Sequence, residues 1–332
     1  MKAAVVTAPG DWAVLDVADP VPGPGEVVVE VERCGICGTD LHVVDGDAGS
    51  LAYPVIPGHE FSAHVVALGA GVTHPALGTF VVVDPMVFCG HCVQCRSGWT
   101  NLCVTGGGLG TTADGAFARY VKVQANQCEP VPESVPAEWA PLTEPLSCVL
   151  HALDRIGPVL GTDTLVIGAG PAGLMLTRML SLGGARVDVV ERRPERLQSA
   201  PAFGADRTAT STDQLDRERG WGLVVDATGN AAAIQEGLSL VRRAGTFAVF
   251  GVSHAAAKVE ISPYDIFKRE LTIVGSNSVR HSFGRALRAL AGGRVPGDKL
   301  LDEPVPLGEI ATALRRTRDG SGLKATVLPG TA

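Results

Sequence analysis

Four cysteines in one short segment, Cys89-x2-Cys92-x2-Cys95-x7-Cys103, constrain this chain more than any other feature. Four thiolates at such spacing, with Gly90 and Gly98 permitting the turns, can surround a single tetrahedral ion. Because sulfur fills every position, the site is closed and structural, and residues of about 85–105 should form a lobe tied around it. Iron or an iron–sulfur cluster could use the same set; zinc is the reading adopted. Five of the eight cysteines, these four and Cys37, fall in such groups, which favours metal over disulfides.

A length of 332 residues with 45% hydrophobic and 19% charged side chains predicts two globular domains with ample core. The net charge of −7 argues against a nucleic-acid or anionic-membrane partner, which requires a clustered basic excess. No run of 18 apolar residues occurs, and residues 1–9 read as strand without a basic leader, so neither a signal peptide nor a membrane span is expected and a cytoplasmic protein is. Up to about residue 150, β-rich runs at 27–31, 61–67, 80–84 and 120–123 alternate with Gly/Pro punctuation, and Pro20, Pro22 and Pro24 mark a loop. From Thr164 the texture changes to strands at 165–167, 187–191, 223–227, 246–250 and 271–274 with helical patterns between them, the signature of a doubly wound parallel sheet. After about residue 280, a helix and a last strand at 325–328 are expected to return to the first domain. The division predicted is 1–150, 151–282 and 283–332, an α/β protein overall.

Two further constellations carry chemistry. Cys37-Gly38-Thr39-Asp40-Leu41-His42, Gly58-His59-Glu60 and Glu144-Pro145-Leu146 together supply sulfur, imidazole and carboxylates, a set that suits zinc with one position left open. Cys148, one helical turn after Glu144, is a rival ligand, read here as a small buried residue. Gly168-Ala169-Gly170-Pro171-Ala172-Gly173 follows a strand and opens a helix, the context in which such glycines let a pyrophosphate approach the helix N-terminus. Glu191 ends the next strand, where an acidic residue binds ribose hydroxyls and repels a 2′-phosphate. Arg192 and Arg193 pull the other way, so NAD is expected with NADP as the alternative. Thr228, Gly251, Val252, Ser276 and Asn277 follow later strands at the same sheet edge.

In this order the motifs resemble those of the zinc-containing medium-chain alcohol dehydrogenases, the sorbitol and polyol branch in particular, over essentially the whole chain. The resemblance implies a GroES-like catalytic domain, a Rossmann domain and two zincs per chain. It makes Cys37 and His59 the first two catalytic ligands, puts Glu144 where the polyol branch has a glutamate, and has Glu60 bind zinc directly or through water. It assigns Asp40 to orienting the ligand histidine, Thr39 to touching the alcohol oxygen and His42 to the outer end of a proton relay. The turns at 228, 251–252 and 276–277 would line the nicotinamide. The implied reaction is hydride transfer between NAD(P) and a secondary alcohol or ketone, a polyol, cyclitol or sugar derivative, by a homodimer or homotetramer. A threonine-dehydrogenase-like activity is the competing reading, and a non-catalytic cofactor-binding protein of the same fold is the non-enzyme one. The chain departs from the family pattern at Ala63 and Thr79, neither of which carries chemistry.

Overall fold

The computed structural model describes residues 1–47, 51–215 and 220–331. They form two compact units: Met1–Ser147 with Val279–Gly293 and Leu300–Ala332, and Cys148–Ser278 with Arg294–Lys299.

The first unit is organised by one long strand, Glu26–Gly35. Val27, Val28 and Val29 are all buried, so this strand is covered on both faces and reads as a continuous apolar run. Antiparallel neighbours flank it: Glu60–Leu68, Tyr120–Gln124 and, at its carboxyl end, Thr326–Leu328. Phe80–Val83 and Cys128–Pro130 extend the sheet on one side, Val305–Pro306 on the other. The register sets Gly35 opposite Glu60 on one neighbour and Thr326 on the other, which brings the C-terminal segment beside the end of the central strand. A separate hairpin, Lys2–Ala8 with Asp11–Asp16, turns at Gly10 in the left-handed region. Its second strand was not anticipated, although Pro9-Gly10 is a turn signal.

The second unit is a six-stranded, wholly parallel sheet in the order Arg207–Ala209, Arg186–Val190, Asp163–Ile167, Trp221–Asp226, Val241–Val249, Thr272–Gly275. The chain builds outward from Asp163–Ile167 on one side, then crosses over and builds outward on the other. That is a doubly wound topology with its switch point beside the first strand. Leu165, Val166, Val187, Val189, Val224 and Val225 are fully buried, as a parallel sheet covered on both faces requires. The expected strand at 246–250 in fact begins at Val241; Ala244 in the left-handed region and a register shift interrupt its first half, which hides the alternation. Around Pro201, which breaks a longer helical pattern, the chain forms a short helix, Pro194–Leu197, and a 3-10 turn, Ala200–Phe203. No helix among the described residues is long and apolar enough to cross a membrane.

Candidate metal centres and nucleotide site

The central strand ends at Gly35, and the chain turns through Ile36 and Cys37 into the helix Gly38–Asp45, which Cys37 caps in extended geometry. Asp40 in the first turn is fully buried and joins two segments: its Oδ2 accepts from the Cys37 amide at 2.8 Å, and its Oδ1 from the Gly58 amide at 3.0 Å. The same Oδ1 lies 3.4 Å from Nδ1 of His59. Gly58 has φ +95° and packs so closely on Phe117 and Cys34 that a Cβ there would clash, which keeps the neighbouring His59 in place. Ligand atoms of Cys37, His59 and Glu60 lie within 4.8 Å of one another. Burial alone would lower the pKa of His59, but the Asp40 charge and contact, with help from Cys37, hold it well above its ordinary value. A thiol, a buried imidazole and a buried carboxylate converging in this way fit a zinc-like cation, which would replace the imidazole proton.

The other residues expected here are placed unevenly. Glu144 is buried at the start of the helix Thr143–Ile156 and stands outside the triplet, although its charge is felt by Lys324. Thr39 Oγ1 is 3.8 Å from the Cys37 sulfur. His42 pairs through Nδ1 with Asp47 at 2.7 Å, and its side chain is about a quarter exposed. Two residues escaped the sequence reading. Asp47 is one; the other is Lys324, the one buried lysine or arginine among the described residues. Lys324 pairs with Glu60 and donates to the Ile36 carbonyl at 3.1 Å. Burial would lower its pKa, yet the charges of Glu60, Cys37 and Glu144 hold it well above the ordinary lysine range.

The four-cysteine lobe is built as its spacing predicts: all four sulfurs lie within 4.8 Å of one another. Cys92 Sγ caps the short helix Val93–Arg96 by accepting from the Cys95 amide at 3.4 Å. Cys89 Sγ likewise accepts from the Cys92 amide at 3.4 Å, and Cys103 Sγ from the Cys89 amide at 3.3 Å. Donors aimed at sulfur favour thiolate, and the amides of His91 and Cys92 lower Cys89 to about 5. Desolvation and the neighbouring thiols instead push Cys95 up to about 12, so four adjacent thiolates require a cation at their centre. The donor set fits a closed zinc site. Arg280 docks this lobe, donating from Nε to the Gly98 carbonyl at 2.7 Å and stacking its guanidinium 3.8 Å over the Trp99 ring.

In the second unit, Gly168 follows the strand Asp163–Ile167 with φ +105°, and Gly170 caps the helix Pro171–Leu182 with Pro171 at its first position. A Cβ on Gly173 would collide with the Gly168 carbonyl, so this glycine sets the close approach of helix to strand. Glu191 sits at the end of Arg186–Val190, its Oε2 accepting from the Ala169 amide and its Oε1 from the Arg193 amide, both at 3.0 Å. Its charge is therefore fixed on the glycine turn. The arginine beside that turn is Arg196, whose guanidinium lies 3.7 Å from where a Cβ on Gly170 would stand. Thr228 and Gly229 fold back on buried Asp226, whose carboxylate accepts from both their amides and from the Thr228 hydroxyl. Gly251 packs against Gly229 too tightly for any side chain. Gly168, Glu191, Thr228, Gly251 and Ser276 thus all follow carboxyl ends of parallel strands, where ligands of such sheets bind.

Comparison with known proteins agrees with this geometry. Residues 23–133 match the alcohol dehydrogenase GroES-like domain and residues 171–292 the zinc-binding dehydrogenase domain. The chain is 34% identical to D-arabinitol dehydrogenase 1 of Uromyces fabae, covering 99% of this chain and 97% of that one. A solved Sinorhizobium meliloti 1021 protein bound to NADP superposes with a TM-score of 0.93 at 32% identity, covering 99% of both chains. An Escherichia coli CFT073 alcohol dehydrogenase (rspB) complexed with NADH does so with 0.92 at 30% identity, again over 99% of both. With its GroES-like first unit, its doubly wound second unit and its two sets of zinc-type ligands, the chain belongs to the zinc-binding dehydrogenases of the alcohol dehydrogenase family.

Proposed function

We propose that this dehydrogenase oxidises a secondary alcohol of a polyol, cyclitol or sugar derivative with NAD, or reduces the matching ketone. The observation that carries the reading is Asp40, which ties Cys37 and the His59 loop into one rigid ligand set beside Glu60. Cys37, His59 and Glu144 would hold the catalytic zinc, with Glu60 beside them reaching it through water; Cys89, Cys92, Cys95 and Cys103 would hold the structural one. Zinc, when bound, supplies Lewis acidity that makes an alcohol hydroxyl easier to deprotonate. Thr39 would accept a hydrogen bond from the alcohol hydroxyl and, as that proton arrives, hand its own on by way of the cofactor ribose to His42, whose partial exposure lets it release a proton to solvent. Asp47 orients the His42 ring through the 2.7 Å contact at Nδ1.

For the cofactor, Glu191 held on the glycine turn places a negative charge where NADP would carry its extra phosphate. Arg196 beside Gly170 complements a pyrophosphate common to both cofactors, so it does not discriminate between them. The solved relatives are bound to NADP in one case and NADH in the other, so the choice rests on Glu191. The D-arabinitol relative supports a polyol substrate. A homo-oligomer accords with exposed Tyr264, Phe267 and Ile273 at and beside the open sheet edge Thr272–Gly275. The test is an NAD-reduction assay across polyols, cyclitols, sugar acids and threonine. Turnover of threonine alone would replace this reading with an amino-alcohol dehydrogenase.

A further inference from the structure

We propose that Lys324 is a positioning residue that holds the Glu60 carboxylate away from the catalytic metal, keeping the last ligand position open to substrate. The inference rests on the reading above that Cys37 and His59 hold that metal.

Three observations converge on this pair. Glu60 is buried beside Cys37 and His59, so its carboxylate lies within reach of a cation held there. Lys324 is also buried, pairs with Glu60 and is steadied from the other side by the Ile36 carbonyl at 3.1 Å. Gly35 then leaves room for the pair: a Cβ there would collide with Glu60 Oε2 and come within 3.2 Å of Lys324 Cε. Gly35 is paired with Glu60 on one strand and with Thr326 on the other, so the sheet register itself delivers both charges to the same spot. A buried lysine is costly unless it is paired, which implies that its place here has a use.

The use follows from competition. A carboxylate next to a dication would be drawn onto it, closing the site as four cysteines close the structural one. The Lys324 ammonium competes for the same oxygens and repels the cation, so Glu60 stays close without occupying the position.

The test measures release of the catalytic zinc from the full chain to a colorimetric chelator, with the four-cysteine zinc as internal reference. Lys324→Met should free Glu60 to bind the metal and slow release on the order of 10-fold, the lower end for residues acting on ligands from outside the coordination sphere. Lys324→Arg should keep the wild-type rate. The double variant Lys324→Met with Glu60→Gln removes both charges, so it should fold even if the single variant does not. It should release zinc at close to the wild-type rate, because the carboxylate that would close the site is removed along with the lysine that restrains it. Release from Lys324→Met at or above the wild-type rate would overturn the proposal, as would slowing that persists in the double variant. Much faster release from the double variant would show Glu60 to be a permanent ligand and would overturn it too. If Cys37→Ser retained both zincs, the metal assignment itself would fail and the inference with it.

Discussion

At the scale of single residues, the site depends on who shares a proton or a charge with whom. Without metal, the Asp40 charge keeps His59 protonated well above its ordinary 6.5. A raised pKa means that the ion pair stabilises the metal-free fold fully below 6.5 and less as pH rises through the higher folded value. Zinc must displace that proton, so its affinity for this site should fall about tenfold per pH unit below the raised pKa, more if the Cys37 proton also leaves. Competition titrations with a chelator across pH would check this, and a flat profile would contradict it. His42→Ala should depress alcohol oxidation most below neutral pH, by about 10- to 100-fold, at or below the low end for general acid–base groups because water can substitute. Rescue by imidazole buffers would confirm a relay; an unchanged pH–rate profile would make His42 a packing residue. Glu191→Ser should shift kcat/KM from NAD toward NADP. The size is bounded at about 1.5–3 kcal/mol for one charged contact, to be measured at fixed ionic strength. The same change removes the acceptor for Ala169 and Arg193, so KM for both cofactors should rise. A variant that keeps the full NAD preference would remove Glu191 from the discrimination.

At the scale of elements, the two cysteine-bearing segments have different work. Cys37 caps a helix at the end of the central strand, whereas Cys89, Cys92, Cys95 and Cys103 organise a lobe whose described regular structure is one two-residue strand, Met86–Val87, one short helix and one 3-10 turn. Such a lobe buries little apolar surface: Val87, Phe88, Val93, Leu102 and Val104 are all exposed. Its shape must come from metal ligation and from the Arg280 clamp on Gly98 and Trp99. Cys37→Ser should therefore give a folded, inactive protein with about one zinc, and Cys95→Ser a protein that loses the other zinc and unfolds at lower temperature. Metal analysis and thermal melts of the two variants side by side would decide it; a single zinc in wild type would refute the two-site assignment.

At the scale of the whole molecule, the edge of the parallel sheet is where the proposed homo-oligomer can be tested. Among the described residues Thr272–Gly275 has no neighbouring strand on one side, and Ile273 on it and Phe267 before it are exposed. Natural edges are usually blunted with charge, and this one is apolar. Ile273→Lys should shift the protein toward monomer in sedimentation, with the second unit still binding cofactor. An unchanged mass would place the assembly surface elsewhere.

What the sequence alone determined is what short spacing can determine. The cysteine lobe, the Cys37–Asp40 turn and the glycine turn at 168–173 are each contained in a few residues whose backbone geometry leaves few alternatives. Five of the six parallel strands were legible as short apolar runs, less so where Ala244 interrupts one; Arg207–Ala209, three residues without an apolar run, was not. Only the tertiary structure decided which charges meet. Three arginines follow Glu191 closely, and the one that reaches the glycine turn is Arg196, because Glu191 holds the Arg193 amide and a short helix carries Arg196 back toward Gly170. Lys324 reaches Glu60 because Thr326 pairs with Gly35 and Gly35 with Glu60. Local pattern does not carry that contact: it depends on sheet register, in which a slip of one residue turns every side chain to the opposite face.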